Sequence, residues 1–358
     1  MIESNSSSPS YHLRILLSQL YGIVLAVHTS AGNAPFALTG HPSPSKLFSR
    51  CLSTLVHLRH WFTGDPFDPC GSKCHRSLKL IRGLHRQVLG LQQQQQCNTC
   101  SGKKNSSSHF QSNRGSIWLS QAAMVQGQFV FVGLMAVFPE QLGFGHFSPS
   151  DFHALFHFWR TIGYCLGIED RFNLCQGTDL EVVEHCRQLY WGEWHQEVVR
   201  RATSTSSSAK AEFYGLKMAR SIAVAALPLG SLPGSLPAMF RFGAPFLGLE
   251  KARYPLVTIR DRIKYAELVI ILRWLPGIIG GSRRLRLIHW VLSRAFCFAF
   301  KVTVRLRRWY RRFLELFADE VHYQHNRQQY SGFSIDCEYC QARKSTSFNY
   351  TSAFEANL

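Results

Sequence analysis

Apolar residues return at three- and four-residue spacing along most of this chain, while the strict alternation of strands is scarce. The pattern predicts an all-α fold. Residues 11–28 make a first apolar helix. A loop closing in TGHPSPSK (39–46) leads to a second, capped by Ser43 or Ser45 and running to about residue 62. Phe48, Cys51, Leu52, Leu55, Leu58 and Phe62 form its buried stripe, and Arg50, Thr54, His57 and Trp61 line the adjoining row. GDPFDP (64–69) ends it, since Gly and Pro cannot continue a helix. In the third helix, SLKLIRGLHRQV (77–88) sets Leu78, Ile81, His85 and Val88 on one face. An imidazole thus shares a stripe that should face the core.

Residues 92–113, with QQQQQ followed by Cys, Asn, Lys and Ser, read as a disordered low-complexity insertion. Helical pattern resumes in IWLSQAAMVQGQFVFVGLMAVF (117–138) and stops at Pro139. Ser148 or Ser150 caps the next helix, whose apolar face holds Phe152, Leu155, Phe156, Trp159, Ile162 and Leu166. A polar helix covers 178–200, and TSTSSSAK (203–210) reads as a linker. Further on, 224–249 is apolar and rich in Gly and Pro, and 265–281 is apolar but broken by Arg273 and Pro276. These shifts divide the chain into two parts of one helical core (1–91 and 116–202) around an insertion (92–115). A basic apolar helical region (203–325) and a flexible tail (326–358) follow.

Composition sharpens the second half. Hydrophobic residues are 46% and aromatic residues 13%, yet only 17% are charged and the net charge is +18. Such an imbalance suits an anionic partner, a phospholipid surface or a nucleic acid. Residues 283–312 hold ten Arg and Lys and no acid. The apolar run 287–300 is shorter than the ~20 residues of a membrane span and is interrupted by Arg294. A basic amphipathic helix lying on a membrane fits it, with an ordinary solvated surface helix as the alternative. No RRM, helix-turn-helix or zinc-finger pattern accompanies the charge, so nucleic acid is the weaker partner. MIESNSSSPS (1–10) does not read as a cleaved leader. Eleven scattered cysteines, an odd number, suggest a reducing compartment rather than a disulfide framework. The sequons at Asn5, Asn105 and Asn349 matter only if they reach a lumen.

Candidate chemistry starts with His85. A histidine on an apolar stripe is either a core residue bonded to a carbonyl or an axial ligand for haem iron, which sits in a deep apolar helical pocket. Arg50, with Thr54 one turn on, either faces a haem propionate or bound oxygen species, or snorkels to solvent. His153 and His157, at i and i+4, have metal-binding spacing but lack the Glu-x-x-His pairs of a di-iron bundle. Cys97-x-x-Cys100 and Cys337-x-x-Cys340 supply four thiolates for zinc, though from distant low-complexity and tail segments. The sequence has no Gly-rich phosphate loop, Ser-centred elbow or Walker pattern, which argues against nucleotide enzymes and α/β hydrolases.

The runs TGHPSPSKLFSRCLSTLVHLRHW, GDPFDP, SLKLIRGLHRQV, SQAAMVQGQFVFVGL and HFWRTIGYCLGIEDRFNLC resemble successive landmarks of one family. It is the family of ER-bound oxygenases of the mpaB type and the rubber oxygenase (latex-clearing protein) catalytic domain. The likeness spans about residues 14–200 and is most specific in HFWRTIGYCLGIEDRFN. It implies a globin-like helical core, with additional basic C-terminal helices in this chain, that binds haem b. In the rubber-oxygenase branch the proximal histidine follows an Arg-x-x-Lys-Thr run by some 30 residues. Arg50-x-x-Ser53-Thr54 stands in that place here, and His85 lies 31 residues beyond Thr54. The resemblance therefore implies His85 as iron ligand, Arg50 and Thr54 as the distal catalytic pair, and Arg82 and His157 as further cofactor-binding positions. It also implies dioxygen, an apolar isoprenoid or lipid substrate, and an intracellular membrane such as the endoplasmic reticulum. His157 is the rival ligand, or else joins Glu169, Asp170, Arg171 and Asn173 in a buried network.

The departures are specific. Ser53 replaces the lysine, Ala34 stands near the position of an upstream acid, and Ala123 and Gly127 replace an Asp and a Thr. No general base for allylic proton abstraction is identifiable. Two other expectations stay open: a catalytically inactive haem- or lipid-binding relative, and a cofactor-free basic helical scaffold at a membrane surface.

Overall fold

The computed structural model describes residues 9–26, 44–68, 70–100, 120–145, 147–197, 235–248 and 255–270, together with 222, 272, 298, 301–309 and 312. Among these residues the regular structure is helical throughout, with no strand, so the all-α expectation holds. The helices are α1 (Pro9–Ala26), α2 (Pro44–Thr63), α3 (Lys73–Cys100), α4 (Gln121–Val137), α5 (Pro149–Leu166), α6 (Asp179–Leu189), α7 (Leu236–Leu247) and α8 (Ile259–Val269). A 3₁₀ turn (Asp170–Phe172) precedes α6 and a π turn (Tyr190–Trp194) extends it. Ser43, the linker at 203–210, the sequons and the tail lie outside the described residues.

Helix α4 is the axis of the core. Gln128, Phe129, Val130, Val132, Gly133, Leu134, Met135 and Ala136 are all buried on it. A helix apolar on every side can satisfy itself only when surrounded, and α1, α5 and α6 pack around this one. The approach of α1 is backbone-close, since a Cβ at Gly22 would overlap the Val130 carbonyl. Ser120 caps the start of α4 through the Ala123 N–H, later than the pattern from residue 117 predicts, while Pro139 follows its end as expected.

Local rules explain the other ends. Ser148, not Ser150, caps α5 in a reciprocal capping box with Asp151, and Gly167 closes that helix at φ 104°. Thr178 and Glu181 repeat the box at α6. Val182, Cys186, Tyr190 and Trp194 then recur every fourth residue and are all buried. Fourfold spacing drifts around an α-helix, and the π turn slows the rotation enough to keep Tyr190 and Trp194 inward. Trp194 packs on Phe129 at 4.7 Å between ring centres, and the Tyr190 hydroxyl donates to the Leu247 carbonyl of α7 at 3.0 Å.

One expectation is corrected. The segment expected to be disordered from residue 92 begins as helix, because α3 continues through the glutamines to Cys100. Glutamine has good helix propensity, and a preformed helix needs no new nucleus to extend. Residues 101–115 of that insertion lie outside the described residues.

Candidate functional site

Helices α2 and α3 form an antiparallel hairpin across GDPFDP. On α2, Cys51, Leu52, Leu55 and Leu58 are buried as the stripe predicts, and Ser53, His57 and Trp61 are buried with them. On α3, Cys74, Ser77, Leu78 and Leu84 are buried, and Ile81 and His85 are half-buried. The Val88 side chain lies outside the described residues.

Polar atoms gather in this seam. The Trp61 Nε1 donates to Ser77 Oγ at 2.8 Å, and His57 Nδ1 lies 2.7 Å from the same oxygen. Ser77 Oγ carries one proton and two lone pairs, so besides accepting from Trp61 it either donates to His57 Nδ1 or accepts from it, according to the ring's tautomer. Burial first, then His60, lowers the His57 pKa to about 4. Ser53 Oγ is buried without a partner.

His85 lies two turns beyond Ser77 on the same side of α3. Its Nδ1 is buried with no hydrogen-bond partner, and burial lowers its pKa, so the ring is neutral. The opening contradiction of an imidazole on an apolar stripe is therefore physical. The ring turns inward, and no carbonyl accounts for it. The antiparallel register that sets Trp61 beside Ser77 carries Ser53 toward the turn of Ile81 and His85.

The other predicted residues divide. Arg50 and Thr54 are half-buried on α2, the helix facing α3. Arg82 is exposed and donates through Nη1 to the Cys165 carbonyl at 3.3 Å, beside Gly167. It answers an open carbonyl at the C-terminal end of α5, where a cation also suits the helix dipole. His157 is exposed on α5, and its backbone carbonyl accepts the Thr161 hydroxyl at 2.9 Å. Its side chain does not enter the buried set, because Phe156 and Trp159 take the inward arc. His153 is also exposed, 3.1 Å from Asp179. No group of three or more metal-ligating side chains exists among the described residues.

The network expected around His157 keeps Asn173 but joins it to Gln128 instead of His157. Buried Gln128 donates through Nε2 to the Trp159 carbonyl and to Asn173 Oδ1, both at 2.9 Å, and its Oε1 accepts from the Leu174 N–H at 3.0 Å. Asn173 Nδ2 donates to the Arg160 carbonyl at 2.9 Å. Gln121 receives the Glu169 N–H and donates to the Gly167 carbonyl. Arg171 and Glu169 pair with each other in solvent. The SQAAMVQ and RTIGYCLGIEDRFNLC runs are thus tied by two glutamines, which sequence reasoning passed over as uncharged helix residues. Their only signal was a polar side chain inside a wholly apolar run.

A separate cleft of about 460 Å³ lies between the end of α4 and the starts of α5 and α6, with Phe152, Phe156 and Val183 in its lining. No histidine lines it. Near His85 the donor chemistry fits an axial imidazole: a ring on an apolar helix face whose pKa burial lowers, with a covered nitrogen that has no hydrogen-bond partner.

Comparison of the chain with protein-family models, with curated proteins and with solved structures gave no match.

Proposed function

We propose that this protein is a haem-binding, oxygenase-like helical protein acting on an apolar isoprenoid or lipid chain, with a globin-like core and His85 as the residue that holds the iron. One observation carries the reading: His85 Nδ1 is buried without a hydrogen-bond partner, and burial lowers the ring's pKa. Buried polar groups are usually satisfied; Trp159 and Trp194 Nε1 also lack partners here, and what sets the His85 nitrogen apart from them is that an imidazole can ligate iron.

Haem, when bound, supplies dioxygen activation, which no side chain of this protein can. The residues around it bind and exclude water. Arg50 and Thr54, one turn apart on α2, offer a guanidinium and a hydroxyl to the cofactor's carboxylates or to polar oxygen near it. Phe62, Phe158 and Trp159 interlock behind α2, with Phe62 and Phe158 stacked at 4.5 Å, and keep that side dry. Lys301, Arg305, Arg308 and Arg312 are exposed beside Phe298 and Trp309, chemistry suited to an anionic intracellular membrane that would deliver an apolar substrate. No helix among the described residues is long and apolar enough to cross a membrane.

A second reading, haem or lipid binding without turnover, is favoured by Ser53, Ala123 and Gly127. The serine is buried and the other two carry no proton acceptor.

The test is a visible spectrum of the full chain reconstituted with haem. A Soret band that disappears in His85→Ala, with far-ultraviolet circular dichroism unchanged, is the expected result. A band that survives the substitution moves the ligand elsewhere, and no band in either protein removes the cofactor and leaves a basic helical scaffold. Oxygen uptake on adding an isoprenoid then separates the first reading from the second.

A further inference from the structure

On α8, Ile259, Ile263 and Ile270 are 76%, 52% and 52% exposed, and Ala266 between them is exposed as well. The four positions fall within ~60° of the helix circumference at 3.6 residues per turn. They form a continuous apolar stripe, and Val257 just before the helix extends it at 75% exposure. Scattered exposed isoleucines need no explanation, but a lined-up row does. The stripe is not the core face of the helix, which is Leu268 with Tyr265 and Val269 packed on the main cluster.

The charges on α8 are sorted by sign. Asp261 is used inward and at the cap, accepting from Ser235 Oγ at 2.5 Å and from the Thr258 N–H at 3.1 Å. Glu267 is paired with Lys264 at 3.0 Å. What borders the stripe is Arg262 on one side and, on the other, Arg260 with the Lys264-paired Glu267; both arginines are exposed. An apolar ridge between two arginines, with both acids of the helix already engaged, complements a surface that is apolar beneath and anionic above.

We infer that the Ile259–Ile263–Ile270 face of α8 is a docking surface for anionic phospholipid: the isoleucines enter the acyl boundary while Arg260 and Arg262 meet the phosphates. An interfacial helix of this kind binds through buried apolar area plus attraction to anionic lipid. The inference is independent of haem. It adds to the basic 301–312 segment a second contact of the same chemistry, one that no charge count reveals.

The test is flotation of the full chain with phosphatidylcholine vesicles, with and without phosphatidylserine. The variants are the triple Ile259→Ser, Ile263→Ser, Ile270→Ser, the double Arg260→Glu, Arg262→Glu, and, as a reference for the C-terminal segment, Arg305→Glu, Arg308→Glu. The triple variant should bind at least ~10-fold more weakly with an unchanged melting temperature, because its side chains are exposed in the free protein. The Arg260 and Arg262 variant should lose most of the preference for phosphatidylserine. Triple-variant binding equal to wild type overturns the inference, and if only the Arg305 and Arg308 variant fails, membrane association survives through the other segment. A wild-type dimer that the triple variant turns into a monomer, with vesicle binding intact, also overturns it and assigns the face to a second copy. The Soret band is unaffected by any of these outcomes.

Discussion

Ser77 Oγ lies 2.7 Å from His57 Nδ1, across the α2–α3 seam and inside the core. The same oxygen accepts from Trp61 at 2.8 Å, so one hydroxyl satisfies two buried rings. Ser77→Ala takes this shared hydroxyl from both rings. It should destabilise the protein by about 2–4 kcal/mol in urea unfolding, against about 1 kcal/mol for a single lost bond. A loss below that lower figure would mean that water replaces the hydroxyl.

His57 also makes stability depend on pH. Its folded pKa of about 4 lies below its ordinary 6.5, so between these values the unfolded chain binds a proton that the folded chain refuses. Stability is full above 6.5, falls as pH drops toward 4 and then levels, a loss of about 3 kcal/mol. His60 and His85 are shifted the same way by burial and add to it. Thermal melts from pH 7 to pH 4 should show the decline, and His57→Gln should flatten much of it.

Gln128 is the joint between two distant runs. Gln128→Ala removes its bonds to the Trp159 carbonyl, Asn173 Oδ1 and the Leu174 N–H, and opens a cavity in α4. The expected loss is about 3–5 kcal/mol, with amide exchange rising first in residues 168–175. Gly163→Ala should act through the same joint, since its new methyl would stand 2.8 Å from Gln128 Nε2 and 3.0 Å from Asn173 Nδ2.

Glycines in the helices should split into two groups. A Cβ at Gly22 meets backbone that cannot move, and Gly22→Ala should cost several kcal/mol by prising α1 from α4. At Gly83 and Gly127 a Cβ meets nothing within 4 Å. Gly83→Ala and Gly127→Ala should each stabilise the protein by about 0.5–1 kcal/mol, read as a raised melting temperature.

His85 should show a stability cost of function. Without haem, His85→Leu relieves a buried nitrogen that has no partner, and the melting temperature should rise, by about 1–2 kcal/mol of stability. With haem present the order should reverse, because only the wild-type chain gains the free energy of ligation. A fall in the haem-free protein would make the ring a structural element.

Much of the helical layout was legible in order and spacing. GDPFDP and Pro139 end helices because the backbone chemistry of Gly and Pro is local. Ser148 with Asp151 starts one for the same reason. The stripe through Leu78, Ile81 and His85 turned inward because a 3.6-residue period fixes which side chains share a face. What periodicity cannot fix is which other element a face meets, and at what register. That Ser77 reaches His57 and Trp61, or that Gln128 finds Asn173 from 45 residues away, depends on distances set only when helices pack. So does the outward turn of His157, displaced from the core arc by Phe156 and Trp159. On α8 the row of Ile259, Ile263 and Ile270 would read identically if another helix covered it. Each helix's own rotation is written in its residues, while its partner, and therefore what remains bare to bind something else, is decided by the assembly of all of them.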